Sequence, residues 1–398
     1  MCAIFLHLLE KQGKNDSNED RVHEEIMIKK TIDTCLIALL LSGFIAWAQT
    51  ATASDVFEVK GVFVDVTADN VTDARKKAMR DGEARAFDIL MKRLTLQADH
   101  DYLPWLEPKD RAQYVRDFSV SGEKTSAVRY LGTLSYHFKP DAIRRLLKSR
   151  NLSFAETFSK PVLVLPLYDD AGRKSLWDEP NPWSGAWSHL TSTTNGLVPL
   201  ALPLGDLADI SGISALQAAS GDEAALMNMA NRYGSNGVVV AQMIVSGRDL
   251  ENAPNTVDLV INHFGGKNAG RSTILGVSKT EEETTESYLQ RVASLVSNTV
   301  EEAWKKDNIL QFGQAGVLPV NLTITDLSEW LGVKKRLGSV AVVRKVELAL
   351  LSRDTVQLNL HFIGDLDQLI GSLRQVDLDL TVTGESWSLI NLNEGSRS

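Results

Sequence analysis

The sequence contains few of the residues on which covalent crosslinks and thiol chemistry depend. Only two of its 398 residues are cysteines, Cys2 and Cys35, and both precede residue 54. A mature chain that starts near residue 54 would have no cysteine, which excludes disulfides, thiolate metal ligands and a cysteine nucleophile. Export without disulfides is typical of the bacterial periplasm rather than of small crosslinked secreted proteins.

Positive charge and internal repeats are also scarce. The chain has 42 Lys and Arg against 51 Asp and Glu, a formal net charge of −9. A nucleic-acid-binding surface needs a clustered basic stripe that neutralises phosphates, so we predict no nucleic-acid partner. No segment of about 20–50 residues repeats, which excludes solenoids and propellers.

The one long apolar run lies near the N-terminus. Two lysines precede an almost wholly apolar stretch over 35–48, and small residues stand at the positions that signal peptidases prefer, Ala48 and Ala53. This pattern predicts a secretory signal peptide over 27–53, cleaved after one of those alanines, and hence a periplasmic protein. We expect no stable membrane insertion after cleavage.

The N-terminal region also allows an alternative localisation, and its first residues bear on the position of the start codon. The apolar run is shorter than the roughly 20 residues of a membrane span, but an uncleaved inner-membrane anchor remains the alternative. Residues 11–25, KQGKNDSNEDRVHEE, are polar and of mixed charge, whereas secretory signals begin with their positive region. We therefore expect residues 1–26 to be an N-terminal extension that results from a misassigned start codon.

Residues 54–158 show the pattern of an α+β domain. An alternating strand is followed by Asn70, a helix N-cap, and by a long helix to about Thr95. A hairpin and a second helix complete the segment. Small residues recur along the first helix at every fourth position and predict a face that packs closely on a sheet: Ala74, Ala78, Gly82 and Ala86.

Residues 159–312 predict an α/β domain with a tryptophan-rich loop. The continuous apolar run PVLVLPLYD is typical of a strand covered on both faces. Helix-separated strands followed by a meander favour an α/β sandwich with a mixed sheet. This layout resembles the small α/β domains of outer-membrane accessory proteins such as the TolB amino-terminal domain and CsgG, a similarity that implies a fold but no role.

Residues 316–392 alternate cleanly and predict a third small domain. A strand, a capped helix, a hairpin around Arg353-Asp354, a second capped helix and a final strand follow one another. This βαββαβ order is ferredoxin-like. The expected fold class is therefore α/β and α+β, with three small mixed α/β domains.

No strong catalytic motif is present. The sequence lacks GxSxG, HExxH, a Walker loop and a strand-associated GxGxxG. Ser121 and Lys124 match an SxxK pattern, but they lie in a predicted hairpin, where the lysine is not one helical turn from the serine. The histidines after residue 54 lack metal-ligand spacing. We predict no catalytic residue, no metal and no cofactor, which favours a non-enzymatic protein.

The most unusual stretch is LWDEPNPWSGAW, residues 176–187. Exposed indoles beside polar groups suit stacking on a sugar or peptide, so the candidate binding residues are Trp177, Asp178, Asn181, Trp183 and Trp187. A stiff, proline-containing loop can instead fold its indoles onto its own domain as a structural lid. A third interpretation pairs Asp170 with Asp178 or Glu179 as catalytic carboxylates for glycan cleavage.

The same block carries a resemblance to a known family. The pattern Trp177-Asp178-Glu-Pro-Asn181-Pro-Trp183, together with the small-faced helix, resembles a bacterial periplasmic family catalogued as a domain of unknown function (DUF2066-like). The resemblance covers roughly residues 55–385. It implies export to the periplasm and assigns no catalytic residue.

The sequence thus favours a non-enzymatic periplasmic envelope protein. We expect an adaptor or accessory module that binds another envelope protein or the cell wall. The alternative is a glycan-binding or glycan-cleaving protein that uses the block from Trp177 to Trp187.

Overall fold

The computed structural model describes residues 55–179, 181–190, 195–265, 269–311, 315–384 and 386–392, without the side chains of Ser188 and His189. The predicted extension over 1–26 and the predicted signal peptide over 27–53 lie outside these residues. Within the described ranges, no helix combines the length and the apolar character that a membrane crossing requires.

The first segment, 55–158, is a three-stranded antiparallel sheet covered by helices. The strand order is β1-β3-β2, and the order along the chain agrees with the predicted strand, helix, hairpin and helix. Its elements are β1 (Glu58–Thr67), α1 (Val71–Leu94), α2 (Pro108–Arg111), β2 (Val115–Thr125), β3 (Arg129–Phe138) and α3 (Pro140–Ser149).

Helix α1 confirms the prediction from its small residues. Its N-cap is Asn70, whose side chain accepts a hydrogen bond from the Asp73 amide. All four small residues of the repeating face are buried. A Cβ atom on Gly82 would lie 2.4 Å from Leu134 Cδ1 of β3, so the absence of a side chain there sets how closely the helix approaches the sheet.

The middle segment, 159–311, is a mixed sheet with helices on both faces. The strand order is β5-β4-β7-β8-β9, with β6 beside β4; β4 and β7 are parallel, while β7, β8 and β9 form an antiparallel meander. Its strands are β4 (Val162–Asp170), β5 (Arg173–Ser175), β6 (Leu200–Ala201), β7 (Val238–Arg248), β8 (Pro254–Phe264) and β9 (Gly270–Ser278).

Two hydrophobic clusters cover the two faces of this sheet, which confirms the predicted α/β sandwich. Helices α4 (Pro182–Leu190) and α8 (Thr285–Asp307) pack on one face. The opposite face is covered by two short helices, α6 (Ala215–Ser220) and α7 (Glu223–Arg232), and a third short helix, α5 (Leu207–Gly212), packs against α7.

Local details of the middle segment differ from the sequence pattern. From the sequence, the apolar run GLVPLALPLG over 196–205 predicts a strand and Ser220-Gly-Asp-Glu223 predicts a capping box. In the structure only Leu200–Ala201 pairs in the sheet, Asp222 is the N-cap of α7, and a capping box forms between Ser214 and Gln217. Equivalent short polar residues stand close together here, so the spacing alone did not single out the residue that caps.

The third segment, 315–392, has the predicted βαββαβ order and one further strand. The sheet order is β11-β12-β10-β14-β13. Its elements are β10 (Ala315–Thr323), α9 (Leu327–Ser339), β11 (Val343–Leu351), β12 (Thr355–Ile363), α10 (Leu366–Arg374), β13 (Leu378–Thr383) and β14 (Ser386–Asn391).

The fifth strand changes the simple ferredoxin-like sheet. In the predicted arrangement β13 would pair with β10, but β14 lies between them, parallel to β10 and antiparallel to β13. The chain reverses at Gly384, whose φ of +65° suits glycine. Leu389 of β14 is then buried, so the extra strand extends the core.

The described residues after 54 form one compact unit, and charged contacts join its segments. Glu156 is buried between Arg144 of α3 and Arg344 of β11, with Nε–Oε2 and Nη2–Oε1 distances of 2.8 and 3.3 Å. One continuous cluster of buried side chains runs through the first and third segments. The structure has three sheets. That each belongs to a separate small domain stays a prediction.

A second charged junction links α8 to the C-terminal end of α1. Lys305 is buried, and its Nζ donates to the carbonyl oxygens of Lys92 and Thr95, each at 2.9 Å. A cation at a helix C-terminus is stabilised by the helix dipole and by the free carbonyls of the last turn. Lys305 therefore fixes the middle segment on the first.

Candidate functional site

The tryptophan block forms a helix that packs on its own sheet. Asn181 is the N-cap of α4, since its Oδ1 accepts from the Ser184 amide at 3.0 Å, and Pro182 occupies the first helical position. Trp183 and Trp187 are four residues apart and so share one face of the helix. Both are completely buried, with ring centroids 5.5 Å apart in an edge-to-face arrangement.

The buried rings have structural partners. The indole N–H of Trp183 donates to the carbonyl oxygen of Ala241 in β7 at 2.8 Å. Asn181 is buried as well, and its amide donates to the Leu176 carbonyl. This geometry favours the interpretation of the block as a lid. Ligand binding by Trp183 or Trp187 stays a prediction that would require α4 to lift from the sheet.

The two carboxylates at the end of β4 are each paired with a cation. Asp169 is buried, lies 2.9 Å from Lys174 Nζ and accepts from the Gln242 amide at 2.8 Å. Asp170 forms an ion pair with Arg248. Asp178 is exposed at the surface. A carboxylate satisfied by its own cation is a poor general acid or base, so the catalytic interpretation gains no support here.

Other residues that the sequence singled out are dispersed. Ser121 and Lys124 lie in the exposed strand β2, so the SxxK spacing does not bring them one helical turn apart. His137 on the outer face of β3 lies between Glu58 and Asp117. Across the described ranges, no group of three or more His, Cys, Asp or Glu residues has metal-binding geometry.

Trp177 differs from the other two tryptophans of the block. It is half-buried, and its indole N–H donates to the carbonyl oxygen of Ile213 at 2.7 Å. Its ring also lies under Gly205: a Cβ there would be 3.9 Å from Trp177 Cε3. Trp177 therefore supports the chain that includes α5.

That supported chain exposes large aliphatic side chains. We use the name leucine surface for Leu204, Leu207, Ile210 and Leu216, whose side chains are 82, 85, 47 and 72% exposed. Leu207 and Ile210 are three residues apart in α5 and share one face of the helix. Clustered exposed aliphatic residues are typical of interaction sites, whereas isolated ones are common on any protein.

Buried polar contacts hold the backbone of the leucine surface in place. Asp209 is fully buried; it accepts from the Gly205 amide at 2.9 Å and from the Tyr233 hydroxyl at 2.6 Å. Arg232 Nε lies 3.0 Å from the same carboxylate. The Tyr233 hydroxyl also accepts from the Leu204 amide at 2.8 Å. The exposed leucines thus stand on an ordered support.

Sequence reasoning missed this surface. The sequence pattern predicted binding residues among the tryptophans of 176–187 instead. One local signal was available: Asp206 caps α5, accepting from the amides of Ala208 and Asp209, and is followed at once by Leu207. A capped helix with a leucine at its first position has no preceding turn to cover that side chain.

Comparison with known proteins adds no family to this picture. A scan of the chain against protein-family models found no match, and a search of curated proteins found none either. The resemblance based on the tryptophan block therefore stays a prediction.

Proposed function

We propose that this chain is a non-enzymatic accessory protein of the bacterial envelope, and that it binds another envelope protein through the leucine surface. The observation that carries the proposal is the exposure of several aliphatic side chains on a backbone supported by Trp177 and the buried Asp209. The predicted signal peptide and the mature chain without cysteine support the compartment.

The energetics suit a protein partner. Complete burial of one leucine side chain contributes about 1.5–3 kcal/mol, so three of them supply several kcal/mol of binding free energy. The chain that presents them is already ordered by hydrogen bonds, which reduces the entropy lost on association. The leucine surface can therefore serve as the apolar centre of a docking site.

The alternative, a glycan-binding or glycan-cleaving protein, has weaker support. It relies on Trp177, which is half-buried, and on Asp178, which is exposed, because Trp183 and Trp187 have no accessible ring face. Stacking on a pyranose needs an open aromatic face.

Site-specific photo-crosslinking in the producing cells tests the leucine surface. A photoreactive phenylalanine analogue replaces Leu207, and in a matched control it replaces Leu250, an equally apolar residue that is fully exposed elsewhere. We expect a discrete protein adduct from position 207 only, and we expect Leu204→Asp to weaken it. The same adducts from both positions would contradict the proposal.

Cell fractionation tests the compartment separately. Osmotic shock should release the protein, and N-terminal sequencing of the released form should begin at residue 49 or 54 if cleavage follows Ala48 or Ala53. Retention with the inner membrane would instead support the uncleaved anchor. A peptide from residues 2–26 in the precursor would contradict the expected start at Met27.

A further inference from the structure

A cavity of about 390 Å³ lies between the middle and third segments. Its walls come from the C-terminal end of α8, the end of β8 and one side of α10. Small-ligand sites typically enclose about 300–1,000 Å³, so the volume suits one or two sugar units. The cavity shares no residue with the leucine surface or with the tryptophan block.

Hydrogen bonds across the junction hold the cavity open. Gln368 of α10 donates from Nε2 to the carbonyl oxygen of Ile309 at 2.8 Å. Gln375, just beyond α10, accepts from the Lys160 amide at 2.9 Å. Since these bonds already join the two segments, a ligand would enter a preformed space, which favours binding.

One wall of the cavity is apolar. It includes Val162, Val198 and Val300, together with the half-buried ring of Trp304. The indole N–H of Trp304 donates to the Thr157 carbonyl oxygen at 2.8 Å. Because that bond fixes the ring, Trp304 can present an ordered aromatic surface to a ligand.

Neutral polar groups also line the cavity. Asn236 contributes a side-chain amide next to the start of β7, and His263 contributes an imidazole at the end of β8. Burial lowers the pKa of His263, so the ring is neutral at pH 7 and offers one donor and one acceptor. Asn308 uses Nδ2 to donate to the Trp304 carbonyl, which leaves its amide oxygen to accept from a ligand.

The one cationic side chain among the described residues that line the cavity already has an anionic partner. The guanidinium of Arg374 is directed to Asp379, with Nε–Oδ1 at 3.0 Å, and so contributes little net positive charge. This pairing disfavours a phosphate or carboxylate as the ligand.

From this combination we infer that the cavity binds an N-acetylated sugar of one or two units. An acetamido group carries an N–H, a carbonyl oxygen and a methyl group, which match the amides of Asn236 and Asn308 and the three valines. The apolar face of the pyranose ring packs on Trp304. Free sugars and cell-wall glycan share this chemistry.

Calorimetric titration of the purified full-length protein with N,N′-diacetylchitobiose tests the inference. Cellobiose, which has hydroxyls in place of the acetamido groups, is the matched ligand. We expect saturable binding of diacetylchitobiose that is at least about tenfold tighter than that of cellobiose, since two acetamido groups lose their partners. Equal affinities, or no heat from either sugar up to about 10 mM, would overturn the inference.

Substitutions of cavity residues test where diacetylchitobiose binds. Asn236→Leu should weaken diacetylchitobiose about tenfold, whereas Asn231→Leu, an exposed asparagine of α7 outside the cavity, should have no effect. If Asn236→Leu does not fold, Asn308→Ala at the end of α8 serves the same purpose. Unchanged affinity in the folded cavity variants would overturn the assignment of the site.

A sedimentation assay distinguishes the two sources of the sugar. Insoluble peptidoglycan is mixed with wild type and with Asn236→Leu. Sedimentation of the wild type alone would show that the cavity takes sugar from the polymer. No sedimentation, with diacetylchitobiose binding intact, would show that the ligand is a soluble fragment.

Discussion

The two faces of the middle sheet are covered in different ways. On one face the long helix α8 and the helix α4 enclose two complete indole rings, Trp183 and Trp187. On the other, the short helices α6 and α7 bury mainly small and medium side chains, and the adjoining helix α5 directs Leu207 and Ile210 outward. The aromatic face is closed, and the aliphatic face presents apolar surface to water.

This difference shows why composition alone misdirects the search for a site. Tryptophans in a polar, proline-containing stretch suggested a binding platform, yet their helix phase turns both rings toward the sheet. Ordinary leucines, which attract no attention in a sequence, are the side chains left outside. The direction of a helix face decides accessibility more than the residue type does.

We expect the largest change in stability from a substitution on the closed face, which α4 and α8 cover. Trp183→Ala should lower the free energy of unfolding by about 3–5 kcal/mol, because it leaves a cavity and removes the hydrogen bond to the Ala241 carbonyl. Thermal or urea unfolding measures the change. In wild type, Trp183 should be protected from acrylamide quenching, and strong quenching of its fluorescence would mean that this face is open.

The close helix packing of the first segment should give the next largest effect. Gly82→Leu should destabilise by about 1–3 kcal/mol, because its Cβ would lie 2.4 Å from Leu134 Cδ1 and 3.2 Å from Val64 Cγ1. Calorimetric melting measures it. The control is Gly185→Ala in α4, where a Cβ meets no atom within 4 Å; removal of a helical glycine there should stabilise by about 0.5–1 kcal/mol.

The stability contributed by one carboxylate on each face should depend on pH in opposite ways, and this effect is smaller than the two above. Burial raises the pKa of Glu301 in α8, although its carboxylate accepts from the amides of Leu197 and Val198. The folded protein then binds this proton more tightly than the unfolded chain does. Stability should fall as pH rises from the usual glutamate pKa to the raised value, and Glu301→Gln should remove that part of the fall.

Asp222 on the opposite face gives the control with the opposite sign. Hydrogen bonds from the Ala225 amide and the Gln217 side chain lower its pKa. Its contribution is present above the usual aspartate pKa and is lost as pH falls through the lowered value. As pH rises from 3 to 8, the melting temperature relative to wild type should therefore increase for Glu301→Gln and decrease for Asp222→Asn; parallel profiles would refute the contrast.

The smallest effect on stability is expected at the leucine surface. Leu207→Asp should change the free energy of unfolding by no more than about 0.5 kcal/mol, because the side chain is already in water. Urea unfolding checks this. A loss as large as that of Trp183→Ala would mean that Leu207 belongs to the core and is unavailable for docking.

Much of the fold was accessible to sequence reasoning. The Asn70 cap, the small face of α1 and the hairpins of the first and third segments depend on residues close together in the chain. The unexpected strand β14 shows the limit of this reasoning. Its six residues follow a glycine turn, and only the pairing of Leu389 with Leu380 and Leu322 makes them part of a core.

The candidate site, like the fold, was only partly predictable from the sequence. The sequence by itself determined that residues 176–187 are stiff and rich in indole, because prolines restrict their neighbours, but it predicted a loop where the structure has helix α4. Only the tertiary structure decided that Trp183 and Trp187 face β7 while Leu204 and Leu207 face water. Burial depends on which distant strand or helix covers a side chain, and local patterns carry no record of that contact.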